Sequence, residues 1–472
     1  MSDGAELRRA PTSWVPNGGV SFWWSANGFP KRRPPLAGDA EADVCIVGGG
    51  LTGLWTAYYL LGAQPDLRVV VLEQEFAGFG ASGRNGGWLS AELSGSRERY
   101  ARDSGRQAVV DLLRVMREGV DEVISVATAE GIDAGIDKQG VVFAARNRAQ
   151  LARLDAHVED ERSWGAGPDD YRRLERDETD ALVRVDGTLA GAFSPHCARV
   201  HPARLVSGLA AAVERRGATI YEGTTVTAIA AGAATTDRAV VRAPFVLRCL
   251  EGFTAGLPGH RRVWLPMNSS MIVTEPMPDV LRDQIGWTGS TLLGDFAHAY
   301  IYAQRTEDDR IALGGRGVPY RFGSRTDDRG RTQAATVGAL TSLLHTLFPA
   351  THDVPIAHAW CGVLGVPRDW CATVDVDHRT GLGAAGGYVG NGLTTTNVAG
   401  RTLADLVLRR DTELTRLPWV GRRVRFWEPE PLRWLGVQSM YALYRAADRR
   451  EQERDLADTS RLAALADRIT GR

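Results

Sequence analysis

Lysine is almost absent from this sequence, and no residue class reaches the excess that marks a nucleic-acid-binding or membrane protein. Lys31 and Lys138 are the only lysines among 56 basic residues, and 57 acidic residues balance these to a formal net charge of −1. No basic run is interleaved with aromatic residues, so we expect no nucleic acid partner. Residues 44–63 carry no charge, but their glycines and their strand-then-helix pattern disfavour a membrane span. The N-terminus lacks an apolar core, so we expect no secretory signal and a cytoplasmic protein.

Cysteine is scarce as well. The cysteines form no C-x-x-C pair and are odd in number: Cys45, Cys197, Cys249, Cys361 and Cys371. This pattern favours a reducing compartment and argues against a zinc site, so we expect no metal. At 472 residues the chain is too long for one compact core, and two or more domains are expected.

The segment Ala42–Glu73 has the pattern of a complete strand, turn, helix and strand. Val44–Val47 is short and apolar, as a buried parallel strand requires. Gly48-x-Gly50-x-x-Gly53 follows it, where the chain has to turn sharply into a helix and let a pyrophosphate approach the backbone.

The remainder of this segment fits the same interpretation. Leu51–Leu61 predicts a helix whose N-terminal amides face a phosphate. Leu67–Leu72 predicts the second strand, and Glu73 ends it at the position where a carboxylate can bind both ribose hydroxyls. The strand, helix and acid together predict a dinucleotide site.

The next loop is rich in glycine, with five glycines in the ten residues from Gly78 to Gly87. A loop of this kind after the second strand is what a ligand lying close to the backbone requires. Ser82, Arg84 and Asn85 add hydrogen-bond donors, which favours a binding loop over a flexible spacer.

A second glycine turn comes late in the chain. Residues 381–408 predict a strand, a turn containing Gly387, Gly390 and Gly392, and a helix that begins with threonine and asparagine. We expect a second helix N-terminus that faces a ligand.

The rest of the chain alternates between helical and strand patterns. Helices are predicted over residues 107–130, 150–178, 202–216 and 332–348, with a charged terminal helix after residue 411. Strands are predicted over residues 140–145, 218–229 (with a turn at Gly223), 240–250, 263–274, 299–303, 310–313 and 356–360. The strands after residue 262 indicate an antiparallel sheet. The Phe22-Trp23-Trp24 cluster indicates that residues 1–40 form a strap over the core.

Four motifs resemble those of the FAD-dependent oxidoreductases of the D-amino-acid oxidase type, which include sarcosine, glycine and gamma-glutamylputrescine oxidases. They are IVGGGLTGLWTAYYL, GASGRNGG, the PARLV helix with the GTTV turn, and GGYVGNG, and they span about residues 43–408. The resemblance implies an α/β fold with a Rossmann-like FAD-binding domain that contains the βαβ unit. It also implies an α+β substrate domain built on a mixed or antiparallel sheet.

The resemblance implies a discontinuous domain organisation. After the strap of residues 1–40, the FAD-binding domain takes residues 41–105, 196–261 and 355–410. The substrate domain takes residues 106–195 and 262–354, and residues 411–472 form a C-terminal helical arm.

The resemblance also implies which residues bind FAD. They are Gly48, Gly50, Leu51, Thr52, Gly53, Glu73, Gln74, Gly80, Ala81, Ser82, Arg84, Asn85, Gly86, Gly87, Val226, Gly390, Asn391, Gly392 and Leu393. Val226 would hold the adenine through its main chain. Residues 390–393 would lie by the isoalloxazine, where a helix N-terminus stabilises negative charge by about 0.3–1 kcal/mol.

Family chemistry implies oxidation of a carbon–nitrogen bond to an imine, with hydride passing from the substrate carbon to flavin N5. The protein then has to position that carbon and exclude water. Candidates for this role are Asn268, His298, Tyr300, Tyr302 and Trp360. Tyr300 and Tyr302 alternate, so we expect both to face the same side of one strand. Ordinary sheet packing is the alternative for each residue, and for His298 a structural role.

Arg305 and Arg316 are candidates to bind a substrate carboxylate through a bidentate fork, with an ordinary ion pair as the alternative. Two features depart from the family pattern. Sarcosine-oxidase relatives place a lysine beside the flavin to promote reaction with oxygen, and neither lysine matches that position. Cys361 lies near the point where some relatives attach FAD through cysteine, but we predict noncovalent FAD and a buried Cys361 thiol.

We therefore expect an FAD-dependent amine or amino-acid oxidase or dehydrogenase. Its partners would be a small-molecule amine or amino acid and an electron acceptor, either O2, giving H2O2, or another compound. One alternative is a nicotinamide-dependent dehydrogenase, which would leave GASGRNGG and GGYVGNG without a ligand. The other is a flavin-binding subunit without turnover.

Overall fold

The computed structural model describes residues 15–315, 320–326, 329–454 and 456–457. Its helices are α1 Phe22–Asn27, α2 Leu51–Ala63, α3 Arg97–Ala129, α4 Arg148–Ser163, α5 Arg176–Leu182, α6 Pro202–Arg215, α7 Asp279–Ile285, α8 Ala334–Leu347, α9 Gly392–Val407 and α10 Leu432–Arg454. Its first ten strands are β1 Ala40–Glu41, β2 Val44–Val47, β3 Val69–Leu72, β4 Trp88–Ser90, β5 Val141–Ala145, β6 Arg172–Glu175, β7 Ala190–Ser194, β8 Cys197–Arg199, β9 Thr219–Tyr221 and β10 Val226–Ala230. The others are β11 Ala233–Thr236, β12 Val240–Arg242, β13 Phe245–Arg248, β14 Leu265–Thr274, β15 Leu292–Asp295, β16 Tyr302–Arg305, β17 Ile311–Gly315, β18 Ile356–Val366, β19 Thr373–Asp377 and β20 Leu382–Gly386.

A six-stranded sheet forms around the βαβ unit, in the order β19-β20-β13-β2-β3-β9. Its strands pair in parallel, except that β19 runs antiparallel to β20. The β2 and β3 strands are fully buried, because helices cover both faces of such a sheet. Since α2 packs against both α6 and α9, it is apolar on nearly all sides. The predicted Rossmann-like α/β arrangement is confirmed.

An eight-stranded sheet has the order β18-β14-β17-β16-β15-β5-β7-β6. Neighbouring strands are antiparallel, except for the parallel pair β15 and β5. This confirms the predicted mixed sheet. Two smaller sheets complete the fold, β1-β12-β11-β10 and the pair β4-β8.

The N-terminal segment is held against the glycine-rich loop. Ser21 caps α1 and donates a hydrogen bond from Oγ to the carbonyl of Gly83 at 2.7 Å. The side chains of Trp23 and Trp24 are buried, and a Cβ on Gly83 would collide with the Trp24 indole. Part of the predicted strap therefore packs against the glycine-rich loop.

Several predicted element boundaries are wrong. The strand predicted over residues 240–250 is two strands, β12 and β13, which lie in different sheets because Pro244 cannot donate to a ladder. The helix predicted over residues 150–178 ends at Ser163, and β6 follows the intervening glycines and Pro168. By contrast, the helix predicted over residues 107–130 agrees with the part of α3 that follows a kink at Gly105, which has a non-helical φ of 81°; the part before the kink begins at Arg97, with Ser96 as its N-cap.

The predicted domain division stays a prediction. Its segment of residues 355–410 supplies β18 to the eight-stranded sheet and β19 and β20 to the six-stranded sheet. Within the described ranges, no helix is both long and apolar enough to span a lipid bilayer.

Candidate active site

A cleft of about 770 Å³ lies at the carboxyl ends of β2, β3 and β13. This is the edge at which open parallel sheets bind ligands. The volume lies within the range of roughly 300–1,000 Å³ for cofactor and small-molecule sites. The residues that line it come from within the segments 47–52, 72–85, 224–226, 249–261, 323–326, 363–364 and 388–396, together with Arg329.

The first glycine turn leaves room for a ligand and for close packing of α2. Gly48 has a φ of 114°, and a Cβ there would lie 2.5 Å from the carbonyl oxygen of Cys249. A Cβ on Gly53 would collide with the Gly48 carbonyl oxygen, so the third glycine permits α2 to approach β2. A Cβ on Gly50 would lie 3.0 Å from Ser82 Oγ. A side chain is therefore excluded at Gly48 and Gly53, whereas at Gly50 the Ser82 hydroxyl would have to shift by a few tenths of an ångström to admit one.

The Glu73 carboxylate is fixed at the end of β3, on the cleft wall. Its Oε2 accepts a hydrogen bond from the Gly49 amide at 2.8 Å, and its Oε1 accepts one from the Glu75 amide at 2.9 Å. Burial raises the pKa of Glu73 to about 7, although both amides oppose that rise.

The glycine-rich loop is ordered by its own polar side chains. Asn85 donates from Nδ2 to the Ser82 carbonyl at 2.9 Å, and its Oδ1 accepts from the Gly87 amide at 2.8 Å. Ser82 Oγ accepts the Leu51 amide at 2.9 Å, which joins the loop to the start of α2. The loop and the first glycine turn therefore form one wall.

Arg84 anchors this wall from behind. Its side chain is buried and donates from Nε to the Phe79 carbonyl at 2.6 Å and from Nη1 to the Cys361 carbonyl at 3.4 Å. The guanidinium carbon lies 4.3 Å from the centre of the Phe79 ring. Arg84 thus ties the loop to β18.

The second glycine turn opens onto the same cleft at the start of α9. Gly390 has a φ of 116°, and the nearest atom to a Cβ there would be Leu364 Cδ1 at 3.8 Å. No side chain caps the N-terminus of α9, so its first amides are available to a ligand. Asn391 instead donates from Nδ2 to Ser94 Oγ at 3.3 Å.

Glu251 holds this turn in place, and sequence reasoning missed it. It accepts hydrogen bonds from the amides of Gly387 at 2.8 Å, Gly365 at 3.1 Å and Tyr388 at 3.2 Å. Burial raises the pKa of Glu251 to about 7. No local motif marks this residue, because its partners lie more than 110 positions away in the chain.

Most of the residues predicted to bind FAD line the cleft. Those on its surface are Gly48, Gly50, Leu51, Thr52, Glu73, Gln74, Gly80, Ala81, Ser82, Asn85, Val226, Gly390, Gly392 and Leu393. Those behind that surface are Gly53, Arg84, Gly86, Gly87 and Asn391. The cleft also has walls that the sequence did not indicate, including Phe79, Leu250, Phe253 and Arg329.

Tyr302 lies where the glycine-rich loop meets the eight-stranded sheet. A Cβ on Gly86 would lie 2.6 Å from the Tyr302 ring, and a Cβ on Gly314 would collide with it. The Tyr302 hydroxyl is 2.9 Å from Ser269 Oγ, and the Trp88 ring meets its ring edge-on at 6.3 Å. The Tyr302 ring therefore contacts the glycine-rich loop from the side of the sheet.

The expectation that Tyr300 shares a strand face with Tyr302 is wrong. β16 begins at Tyr302, so Tyr300 precedes the strand, and it is 36% exposed. His298 faces the C-terminal helix, where its Nε2 lies 3.0 Å from Glu451 Oε1. The structure therefore does not bring either residue to the cleft.

Trp360 and Asn268 lie inside the eight-stranded sheet. Trp360 is fully buried and donates from Nε1 to the Arg84 carbonyl at 2.8 Å. Asn268 is 3% exposed, and its amide nitrogen and oxygen have no hydrogen-bond partner among the described residues. It lies opposite Val363, which lines the cleft. Asn268 is therefore a buried polar group beside the cleft wall.

The remaining candidates lie away from the cleft surface. Arg305 donates to the carbonyl of Gly289 at 2.6 Å and pairs with Asp309 at 3.3 Å, which is the ion-pair alternative. Arg316 lies outside the described residues. Cys361 is buried and directs its thiol to the Arg331 carbonyl at 3.4 Å.

Comparison with known proteins agrees with this architecture. The family model described as FAD dependent oxidoreductase (DAO) matches residues 43–406. Gamma-glutamylputrescine oxidoreductase of Escherichia coli is 32% identical over 388 residues, which cover 79% of this chain and 84% of that protein. The probable oxidoreductase OrdL of Rhizobium meliloti is 27% identical over 411 residues, covering 84% and 90%. The crystal structure of glycine oxidase from Geobacillus kaustophilus has the same fold, with a TM-score of 0.68 and 21% identity over 81% of this chain and 99% of that one. The chain belongs to the DAO family of FAD-dependent oxidoreductases.

Proposed function

We propose that this protein oxidises the carbon–nitrogen bond of an amine or amino acid, using FAD bound noncovalently in the cleft. The observation that carries the proposal is the single cleft onto which both glycine turns and the glycine-rich loop open. The names of two similar proteins, gamma-glutamylputrescine oxidoreductase and glycine oxidase, support a substrate that contains an amino group.

The residues of the cleft fit FAD in three respects. Gly48 and Gly50 form a turn without side chains at the start of α2, which suits a pyrophosphate. Glu73 offers carboxylate oxygens at the end of β3, where the ribose hydroxyls would lie. The uncapped amides of α9 suit an acceptor of negative charge.

Bound FAD supplies hydride acceptance, and the chain supplies position and exclusion of water. Gly86 lets the Tyr302 ring contact the glycine-rich loop, so the sheet and the loop enclose this part of the site. The Tyr302 and Ser269 hydroxyls, 2.9 Å apart, are two hydrogen-bonded polar groups at this contact. We assign substrate positioning to Tyr302, with Asn268 as a buried polar group beside the cleft.

The surroundings of two cysteines, Cys361 and Cys249, support noncovalent attachment of FAD. The Cys361 thiol points to the Arg331 carbonyl, and Cys361 does not line the cleft. Cys249 does line the cleft, but burial raises its thiol pKa to about 12, so it lacks the thiolate that forms such a bond.

The described lining of the cleft contains no lysine, which bears on the electron acceptor. Lys138 pairs with Asp121 at 2.6 Å on the surface, and Lys31 is exposed in the N-terminal segment. If oxygen is the acceptor, we propose that the favouring cation is an arginine of the described cleft lining, Arg261, Arg325 or Arg329, and not a histidine, since that lining contains none.

Anaerobic mixing of the purified holoprotein with amines and amino acids tests the proposal. We expect the flavin absorbance band to bleach with at least one linear amine or amino acid, and the product to react as a carbonyl compound after imine hydrolysis. A flavin that stays oxidised with all amines and amino acids, yet is reduced by dithionite, would contradict it.

A further inference from the structure

A second cavity of about 170 Å³ lies beside the cleft, between the eight-stranded sheet and the helices α3 and α4. We call it the Glu92 pocket. Some residues of its lining are uncharged, and many are titratable. The titratable side chains include Glu92, Arg97, Arg117, His157, Glu161 and Asp170.

Most charges in the Glu92 pocket are already paired. Arg97 forms an ion pair with Glu161, and Arg117 pairs with Asp170 at 3.3 Å. His196 Nε2 lies 2.8 Å from the same Asp170. Once these pairs are counted, one carboxyl of the described lining has no partner for the charge that it carries when ionised.

That charge belongs to Glu92. No hydrogen bond or ion pair joins its carboxyl to another described residue. Burial raises the pKa of Glu92 to about 7, Glu161 raises it further, and Arg97 opposes the rise. A carboxyl in this position is stabilised in its charged form by a bound cation.

Unpartnered polar atoms in the same pocket independently indicate a ligand. Tyr171 is 6% exposed, and its hydroxyl has no hydrogen-bond partner among the described residues. The Nδ1 atom of His196 is also buried and unpartnered. A buried hydroxyl usually has a hydrogen-bond partner. The unpartnered atoms therefore indicate that a polar group of a ligand binds in the pocket.

The pocket shares a sheet face with Tyr302. The register Tyr302, Gly294, Phe143 crosses β16, β15 and β5 on one face, and Val141 of the pocket lies on that face two residues from Phe143. Two strand spacings separate β16 from β5, which is roughly 10 Å. The pocket and Tyr302 therefore lie on the same face of this sheet, two strands apart.

Aromatic side chains join the two places. Ring contacts run from Tyr302 to Trp88 at 6.3 Å and from Trp88 to Phe143 at 6.2 Å. They continue through Phe296 to His157 at 5.9 Å, which lines the pocket. Rows of this kind bind alkyl chains and cationic groups.

The pocket also lies next to the start of α9. Leu93 lines the pocket, whereas the adjacent Ser94 donates to the Tyr388 carbonyl at 2.7 Å and accepts from Asn391. Adjacent residues of one segment thus contact the pocket and Tyr388 of the cleft lining.

We propose that the Glu92 pocket binds a second, non-reacting ammonium group of the substrate, so that the substrate is a linear diamine or a derivative that keeps two cationic nitrogens. Glu92 provides the ion pair and Tyr171 the additional hydrogen-bonding group. The aromatic row accommodates the connecting chain. This inference rests on the proposed amine oxidation, although the binding itself can be measured without turnover.

The test is anaerobic calorimetric titration of the dithionite-reduced holoprotein, whose flavin can accept no hydride, with linear diamines of about four to ten carbons and with monoamines of equal length. We expect diamines to bind at least about tenfold more tightly than the matched monoamines. Glu92→Gln should remove most of that ratio, and Tyr171→Phe should lower diamine affinity about threefold. The matched control is Glu159→Gln, an exposed glutamate on α4 that should retain the full ratio.

Unchanged diamine affinity in a Glu92→Gln protein with native melting temperature and flavin content would overturn the pocket, as would equal affinity of the wild type for diamines and monoamines. The two proposals fail separately. Glu92-dependent diamine binding without flavin reduction by any amine would contradict the proposed oxidation and support the pocket. Flavin reduction by amines, together with diamine binding that does not depend on Glu92, would support the proposed oxidation and contradict the inference about the pocket.

Discussion

Glu73 illustrates how a single side chain serves both the fold and the proposed cofactor site. Its oxygens accept the amides of Gly49 and Glu75, so the carboxylate is oriented before any ligand arrives. Burial raises its pKa from the ordinary 4.5 to about 7. As a result its contribution to the free energy of unfolding is fully present below pH 4.5 and is lost as pH rises through about 7.

The same shift predicts a pH dependence of FAD binding by the apoprotein. Protonation of Glu73 removes an acceptor for a ribose hydroxyl, so we expect affinity to fall as pH decreases below about 7. Glu73→Gln should bind FAD about tenfold more weakly at about pH 8 and lose this part of the dependence. Quenching of FAD fluorescence at several pH values measures both. If wild type and variant share one pH profile, Glu73 does not contact the nucleotide.

Gly390 offers a second test at the residue scale. Its positive φ and the open space beside it suit a ligand against the backbone, and a glutamate side chain would place bulk and negative charge there. We expect Gly390→Glu to abolish FAD retention. Gly232→Glu is the matched control, because Gly232 also has a positive φ but lies in an exposed turn. Stoichiometric FAD in a folded Gly390→Glu protein would exclude this placement, whereas the control should keep its flavin.

Residues were predictable from sequence where spacing alone determines their role. Gly48, Gly50 and Gly53 have fixed positions between a strand and a helix, and Glu73 ends the next strand. Glu251 has no such signal, because the amides it accepts belong to strand and turn residues more than 110 positions further along the chain.

At the scale of elements, the C-terminal helix α10 is held by a buried ionic cluster. Glu451 is 1% exposed and pairs with Arg153 of α4 at 2.9 Å and with His298 at 3.0 Å. Asp448 accepts the amides of His298 and Ala299 at 2.9 and 3.0 Å. His298, a candidate for catalysis, therefore contacts α10 and stabilises its position instead.

This cluster predicts the effect of a substitution on stability. Glu451→Gln leaves buried positive charge uncompensated, so we expect the melting temperature to fall by about 5 °C or more while the flavin spectrum is unchanged. The exposed Glu453 on the same helix is the control, and Glu453→Gln should shift the melting temperature by less than about 1 °C. Equal melting temperatures for the two variants in differential scanning calorimetry would show that α10 is not held by this contact.

Element types were predicted better than element boundaries. The hydrophobic patterns of β2, α2, α6 and α9 are strong, and these elements lie where they were predicted. The prediction of one strand over residues 240–250 is wrong. Apolar residues continue on both sides of Pro244, but the hydrogen bonds between strands are interrupted there.

At the scale of the whole molecule, the two large sheets are assembled from interleaved segments. The chain enters the eight-stranded sheet at β5, returns to the six-stranded sheet at β9 and β13, and repeats this before β19. The family resemblance implied a discontinuous domain organisation, and that division stays a prediction. The Glu92 pocket could not be anticipated, because its walls come from α3, α4, β5 and the segments after β4 and β7, which no short motif unites.

The central claim is that the cleft holds noncovalent FAD, and the visible absorbance spectrum before and after acid precipitation tests it most directly. We predict a two-banded flavin spectrum in the native protein and release of all the colour to the supernatant. A colourless protein that cannot be reconstituted with FAD, or colour retained in the pellet, would contradict the account.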